Sequence, residues 1–211
     1  MQVRPLSSAP LSFDRVDHPV EAMLAPTADV VSLQVADSML RRAPGVEVQD
    51  TVTDAQGRRA EMRYRIEPTA TGYTISGSAG DNPIQETVEL VPMGNRARGR
   101  IGGSQDCMDT QMVMGGWYLA GQVGEVPVQE QVSFHPWASG LLVSARFGPS
   151  SLEMQMVPSP EGPMVLQGTF DGQPFEGRMS AGDSPDSVQV VREFAGYRWV
   201  QEIRALGAAR R

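Results

Sequence analysis

Polar and apolar residues alternate along most of this chain. Tyr73, Ile75, Gly77 and Ala79 fall on one face of a strand, and Thr74, Ser76 and Ser78 on the other. The same period returns through Asn95, Ala97, Gly99 and Ile101, and through Trp117, Leu119, Gly121 and Val123. It returns again through Leu141, Val143, Ala145 and Phe147, and through Met164, Leu166, Gly168 and Phe170. Period two with one dry and one wet face marks a half-buried antiparallel strand. Between these runs lie second alternating runs. Their dry rows are Ile84, Glu86, Val88, Leu90; Met108, Thr110, Met112, Met114; Val128, Glu130, Val132, Phe134; and Leu152, Met154, Met156. Each pair of runs predicts a β-hairpin, and successive hairpins form a meander.

The first runs also match in detail. Gly77, Gly99, Gly121, Ala145 and Gly168 stand 22, 22, 24 and 23 residues apart, and Gly80, Gly102, Gly124, Gly148 and Asp171 each follow three residues later. This is an internal repeat of about 22 residues. A small residue in mid-strand, repeated on every other strand, leaves a lane without side chains across the sheet. The lane is expected to let the sheet curl, the alternative being a seat for a helix or ligand. A less regular hairpin is predicted at 46–53 and 60–67, and a last one at 187–194 and 197–205, giving about fourteen strands.

One stretch has a different period. Ala28, Val31, Ser32, Val35, Ala36, Met39 and Leu40 recur at three- and four-residue spacing, which predicts an amphipathic helix capped by Thr27 and running to about Arg42. Asp17 is the expected cap of a short helical turn before it. The predicted fold is mainly β: an antiparallel meander of hairpin repeats, curled into a barrel or half-barrel, with one N-terminal α-helix packed on its dry face. We expect a flexible tail at 1–16, one β-rich domain at 17–205 (helical at 17–43, sheet at 46–205) and a C-terminal tail at 206–211.

Composition narrows the function. The chain has 211 residues, a net charge of −7 and no lysine, so nucleic-acid binding is not expected, because phosphate attraction needs clustered positive charge. Arginine in place of lysine suits a GC-rich bacterial genome. Cys107 is the only cysteine, so no internal disulfide forms. With no secretory signal at Met1 and no long apolar stretch, the expectation is a cytoplasmic protein without transmembrane insertion. Strands of about seven residues with a polar second face also argue against a membrane barrel.

Candidate chemistry is sparse. Glu86 and Glu130 sit in the similar strings NPIQETVEL and VPVQEQVSF, on the dry face. Four strands apart, they are ~19 Å from each other in a flat sheet, too far to share a substrate atom. Each is expected to lie near a turn and reach solvent. Met108, Met112, Met114, Met154 and Met156 fill the dry rows as core residues or as the lining of an apolar pocket, and they are not clustered as a copper site. His135, in FHPWASG, reads as a surface loop residue, and Glu89 is the expected partner of Arg98. No P-loop or nucleophile elbow is present. The expected protein is therefore non-catalytic, with no cofactor and no metal. It binds an apolar or amphipathic small molecule in a barrel cavity through Glu86, Glu130, Met112, Met154, Met156 and Trp117. The alternative is a structural or interaction module, including a homo-oligomer, assembling through sheet edges or an apolar sheet face.

Overall fold

The computed structural model describes residues 10–134, 140–160 and 164–207. His135 and the rest of its loop lie outside them. Two helices, α1 (Pro19–Leu24) and α2 (Val30–Leu40), precede fourteen strands. These are β1 (Gly45–Thr53), β2 (Arg59–Pro68), β3 (Gly72–Ala79), β4 (Asn82–Val91), β5 (Gly94–Ile101), β6 (Ser104–Val113) and β7 (Gly116–Val123). They continue as β8 (Val126–Phe134), β9 (Leu141–Phe147), β10 (Ser150–Pro158), β11 (Met164–Phe170), β12 (Gln173–Ala181), β13 (Ser187–Phe194) and β14 (Tyr197–Leu206). Each strand pairs antiparallel with its chain neighbours. The sheet closes where β1 pairs with β14, setting Thr51 opposite Val200. A closed barrel has no edge strand, so the edge-to-edge assembly expected as one alternative has nothing to pair with here.

The repeat glycines account for the curl. A Cβ on Gly121 would lie 1.9 Å from the Cys107 carbonyl oxygen, and one on Gly168 would lie 1.8 Å from that of Glu153. In both cases the obstacle is the neighbouring strand's backbone, not a helix. The lane is therefore where strands bend past each other. The second repeat glycine has a separate job: Gly80, Gly102, Gly124 and Gly148 occupy the two-residue turns at φ of 56 to 59°, a region that costs other residues.

Fourteen strands ~4.8 Å apart, tilted by ~35–45°, enclose a cylinder roughly 26–30 Å across the backbone. Facing sheets pack directly only at ~10 Å, so wall side chains alone leave the middle empty. The N-terminal segment fills it. Residues 20–32 are all buried, α1 contacts β8 and β9, and α2 contacts β14, β1 and β2. The expected helix thus lies inside the barrel, shorter than predicted: its N-cap is Asp29, not Thr27. The cap of α1 is His18, not Asp17.

The segment enters over one end of the barrel. Gly103 N–H donates to the Asp14 carbonyl (3.0 Å), Glu125 N–H to the Val16 carbonyl (3.0 Å) and Val16 N–H to Ser104 Oγ (2.7 Å). Phe13 and Val16 are buried there, so the expected loose tail is ordered at least from these residues onward. The outer wall carries exposed Arg65, Gln85, Arg98, Arg100, Gln129, Gln131, Arg146 and Glu153, where a lipid-facing barrel needs an apolar band. No helix among the described residues is long and apolar enough to cross a membrane.

Candidate functional site

Two features stand out against this filled barrel: a buried polar seam between plug and wall, and an apolar rim at the end opposite the entry.

The seam is built from polar residues that share the inward parity of their strands. Asp29, at the start of α2, receives two hydrogen bonds from the Arg192 guanidinium, at 3.1 and 3.2 Å. Gln201 Nε2 donates to Asp29 Oδ2 (3.0 Å) and to Asp50 Oδ1 (2.8 Å), and Trp199 Nε1–H also donates to Asp50 Oδ1 (2.7 Å). Ser32 bonds both Asp29 and Gln201, and Arg192 stacks over the Trp199 ring at 3.8 Å. Burial pushes Asp50 up to about 7, against the opposing pull of these donors. Asp29 and Arg192 form the one ion pair among the described residues with both members almost fully buried. The seam fastens plug to wall. Its donors and acceptors are largely spent on each other, the Ser32 hydroxyl included.

Glu86 and Asp106 form a second cluster. Both flank Gly99, on adjacent strands, and the Glu86 side chain lies across that glycine: a Cβ there would be 2.7 Å from Glu86 Cγ. Thr27 Oγ1 donates to Asp106 from the plug. Burial raises both carboxyls, Glu86 strongly and with a further push from Asp106. Both Glu86 oxygens and Asp106 Oδ1 are buried without a hydrogen-bond partner, an arrangement that disfavours charge on both carboxyls at once. Glu130 stands apart, facing Asp29 and Arg192; burial lifts it to about 8, and its Oε2 has no partner. Glu86 and Glu130 are thus not brought together, and neither reaches solvent. The expectation that they do is overturned by exposures of 3% and 2%. No group of three His, Cys, Asp or Glu among the described residues is placed to hold a metal ion.

A cavity of about 20 Å³ lies between plug and wall, lined by Glu130, Met154, Phe175, Arg192 and Trp199 among others, with room for roughly one water molecule. Met154 and Met156 are core residues.

The rim is different. The inward rows of β4, β6 and β8 stay apolar to their ends, where the plug no longer covers them. Leu90, Met112 and Phe134 keep 61%, 60% and 62% of their surface exposed, and Met114 is fully exposed. Backbone hydrogen bonds hold these strand ends and hairpin tips side by side: Met112 N–H donates to the Met93 carbonyl (2.7 Å) and Phe134 N–H to the Gly115 carbonyl (2.8 Å). Trp117 pairs with Met112 across the ladder and meets Phe134 edge-on at 6.1 Å. Met93 occupies a turn at φ 65°, a strained position for a non-glycine residue. Arg98 does not pair with Glu89 as expected. It bonds Asp109 at 2.9 Å, and Asp109 also meets Arg96 at 3.4 Å; with Glu89 opposite Arg96 across the ladder, these four charges sum to zero.

Of the sequence candidates, Met112 and Trp117 belong to this rim; Leu90, Met93, Met114 and Phe134 complete it. The signal for the last four was available, since the dry rows run apolar to the strand ends and two hairpin tips carry methionine where turns usually carry Gly, Asn or Asp. The fold and site together define a plugged, antiparallel β-barrel with one apolar end. No protein-family model matches the chain, and no curated protein or solved structure is significantly similar to it.

Proposed function

We propose that this protein is a non-catalytic binding module that works through the apolar rim of its barrel. One observation carries the reading: large apolar side chains at the ends of β4, β6 and β8, and at two hairpin tips, are exposed together at one end of the barrel. Together they present roughly 500 Å² of apolar surface, taking ~150 Å² per whole side chain, which is near the upper end for a monomer and marks an interaction surface. Methionine at three of these positions gives a face that adapts to what it meets. An apolar or amphipathic small molecule laid across the same rim is the second reading, favoured by the inward pointing of Leu90, Met112 and Phe134. The cavity beside Glu130, at about 20 Å³, is too small for it.

The test is a hydrophobic probe, 1-anilinonaphthalene-8-sulfonate, added at submicromolar protein. Wild type binds it with enhanced fluorescence. Met112→Glu combined with Phe134→Glu loses that binding while Tm stays within a few degrees of wild type. Equal probe binding by wild type and variant would remove the rim as the working surface.

A further inference from the structure

We infer that the occupant of the apolar rim is a second copy of this chain, docked end to end through a two-fold axis. The inference rests on the rim being the binding surface, and it names the partner.

Area is the first argument. A stable homodimer face buries about 800 Å² per partner, of which about 65% is apolar. The exposed apolar group supplies close to that share, and Asn95, Arg96, Asp109, Thr110 and Gln111 surround it as the polar remainder.

Charge is the second. The chain carries a net charge of −7, so two copies repel over most of their surfaces. A two-fold contact sets each residue against its own kind or a near neighbour, and it therefore tolerates only a patch that is neutral within itself. The rim meets that condition: Leu90, Met93, Met112, Met114, Trp117 and Phe134 are uncharged, and the charges of Arg96 and Arg98 are offset by Asp109, which meets both, and by Glu89, opposite Arg96 across the ladder.

Backbone strain is the third. Met93 holds φ 65° with its side chain 70% exposed. A glycine would take that turn without strain, and in this barrel glycine fills the equivalent second turn position at Gly115 (φ 81°). With 70% of Met93 exposed, the little it buries within one chain does not repay that strain. A contact across the interface does.

The experiment is sedimentation equilibrium from low micromolar to hundreds of micromolar, with native mass spectrometry on the same samples. A reversible dimer near 46 kDa is expected, twice the chain mass of 22.8 kDa. Added salt tightens it by screening the net charge. Met112→Glu with Phe134→Glu abolishes it. Met93→Gly is the decisive variant because it cannot act by unfolding: it weakens the dimer several-fold while raising Tm. A wild-type chain that stays monomeric throughout, or a dimer indifferent to all three substitutions, overturns the inference. A monomer carrying a few hundred daltons of extra mass overturns it too, but leaves the rim as the binding surface. Loss of probe binding and dimer alike would sink both readings.

Discussion

Glu130 shows what burial does to a single residue here. Its carboxyl faces only Asp29 and Arg192, and one oxygen is unpartnered. Its pKa rises from the usual 4.5 to about 8, and that of Asp50 from 3.8 to about 7. A raised carboxyl binds its proton more tightly in the folded state than in the unfolded one. Stability is then full below the unfolded value and declines as pH climbs toward the folded one. Each such group removes up to about 1.4 kcal/mol per pH unit within its window. The expected outcome is a higher Tm near pH 5 than near pH 8.5, with Glu130→Gln flattening the slope above neutrality; Tm against pH for both proteins checks it. The buried salt bridge is tested by mutation: Asp29→Ala strands the Arg192 charge and costs about 3–5 kcal/mol, read by urea unfolding. The inward direction of these residues was legible. Asp50 lies between Val48 and Val52, Asp106 two before Met108, Arg192 between Val190 and Phe194, and Gln201 between Trp199 and Ile203. Their pairing was not, because Asp29 and Arg192 are brought together only by the plug's path through the barrel. The solvent-reaching roles expected of Glu86 and Glu130 failed for the same reason, since a strand pattern gives a side chain's face and not what covers it.

At the scale of elements, the strands were the easiest reading and the helices the hardest. A two-residue period survives in every hairpin, so the strands expected at 46–53, 60–67, 187–194 and 197–205 end within a residue of the observed ones, although strands expected at about seven residues run from seven to ten. The helix start is two residues late because Thr27 has other work, donating to Asp106, while Asp29 both caps α2 and holds Arg192. A capping side chain and a side chain anchoring the plug look alike in sequence. The lane of small residues makes a sharper claim. At Gly121 a Cβ would sit 1.9 Å from a carbonyl oxygen and 2.8 Å from the Met108 Cα, backbone atoms that cannot swing aside. Gly121→Ala is expected to cost about 3 kcal/mol, at the high end for overpacking. At the equivalent position on β9 the chain already carries Ala145, buried without exclusion. Ala145→Gly should cost only about 1 kcal/mol, through backbone entropy. Urea midpoints of the two variants would reveal the asymmetry; equal costs would mean that the lane is not where the sheet bends.

For the whole molecule the unread quantity was closure. A half-barrel and a closed barrel have the same alternation, the same turns and the same repeat, because these are local. What separates them is one ladder between β1 and β14, which sets Thr51 opposite Val200. That ladder follows from curvature summed over every strand between, and so does the width that makes a plug necessary. Closure and filling depend on each other: without the plug the wall faces a void, and without the last ladder the plug's seam loses Arg192, Trp199 and Gln201. The barrel should therefore not shorten by hairpins as a stacked repeat does, where each unit leans only on its neighbour. Removing residues 187–211 takes away β13 and β14 alone and leaves twelve strands with their turns intact. A stacked array would survive that loss as a slightly smaller folded protein. This barrel would be left with β1 and β12 as open edges, an uncovered interior and Asp29 without its cation, and it is expected to aggregate rather than run as a compact species. Gel filtration and near-ultraviolet circular dichroism of the truncated chain decide between the two. A monomeric product with fixed aromatic signals would mean that the hairpins are independent and that closure is incidental to the fold.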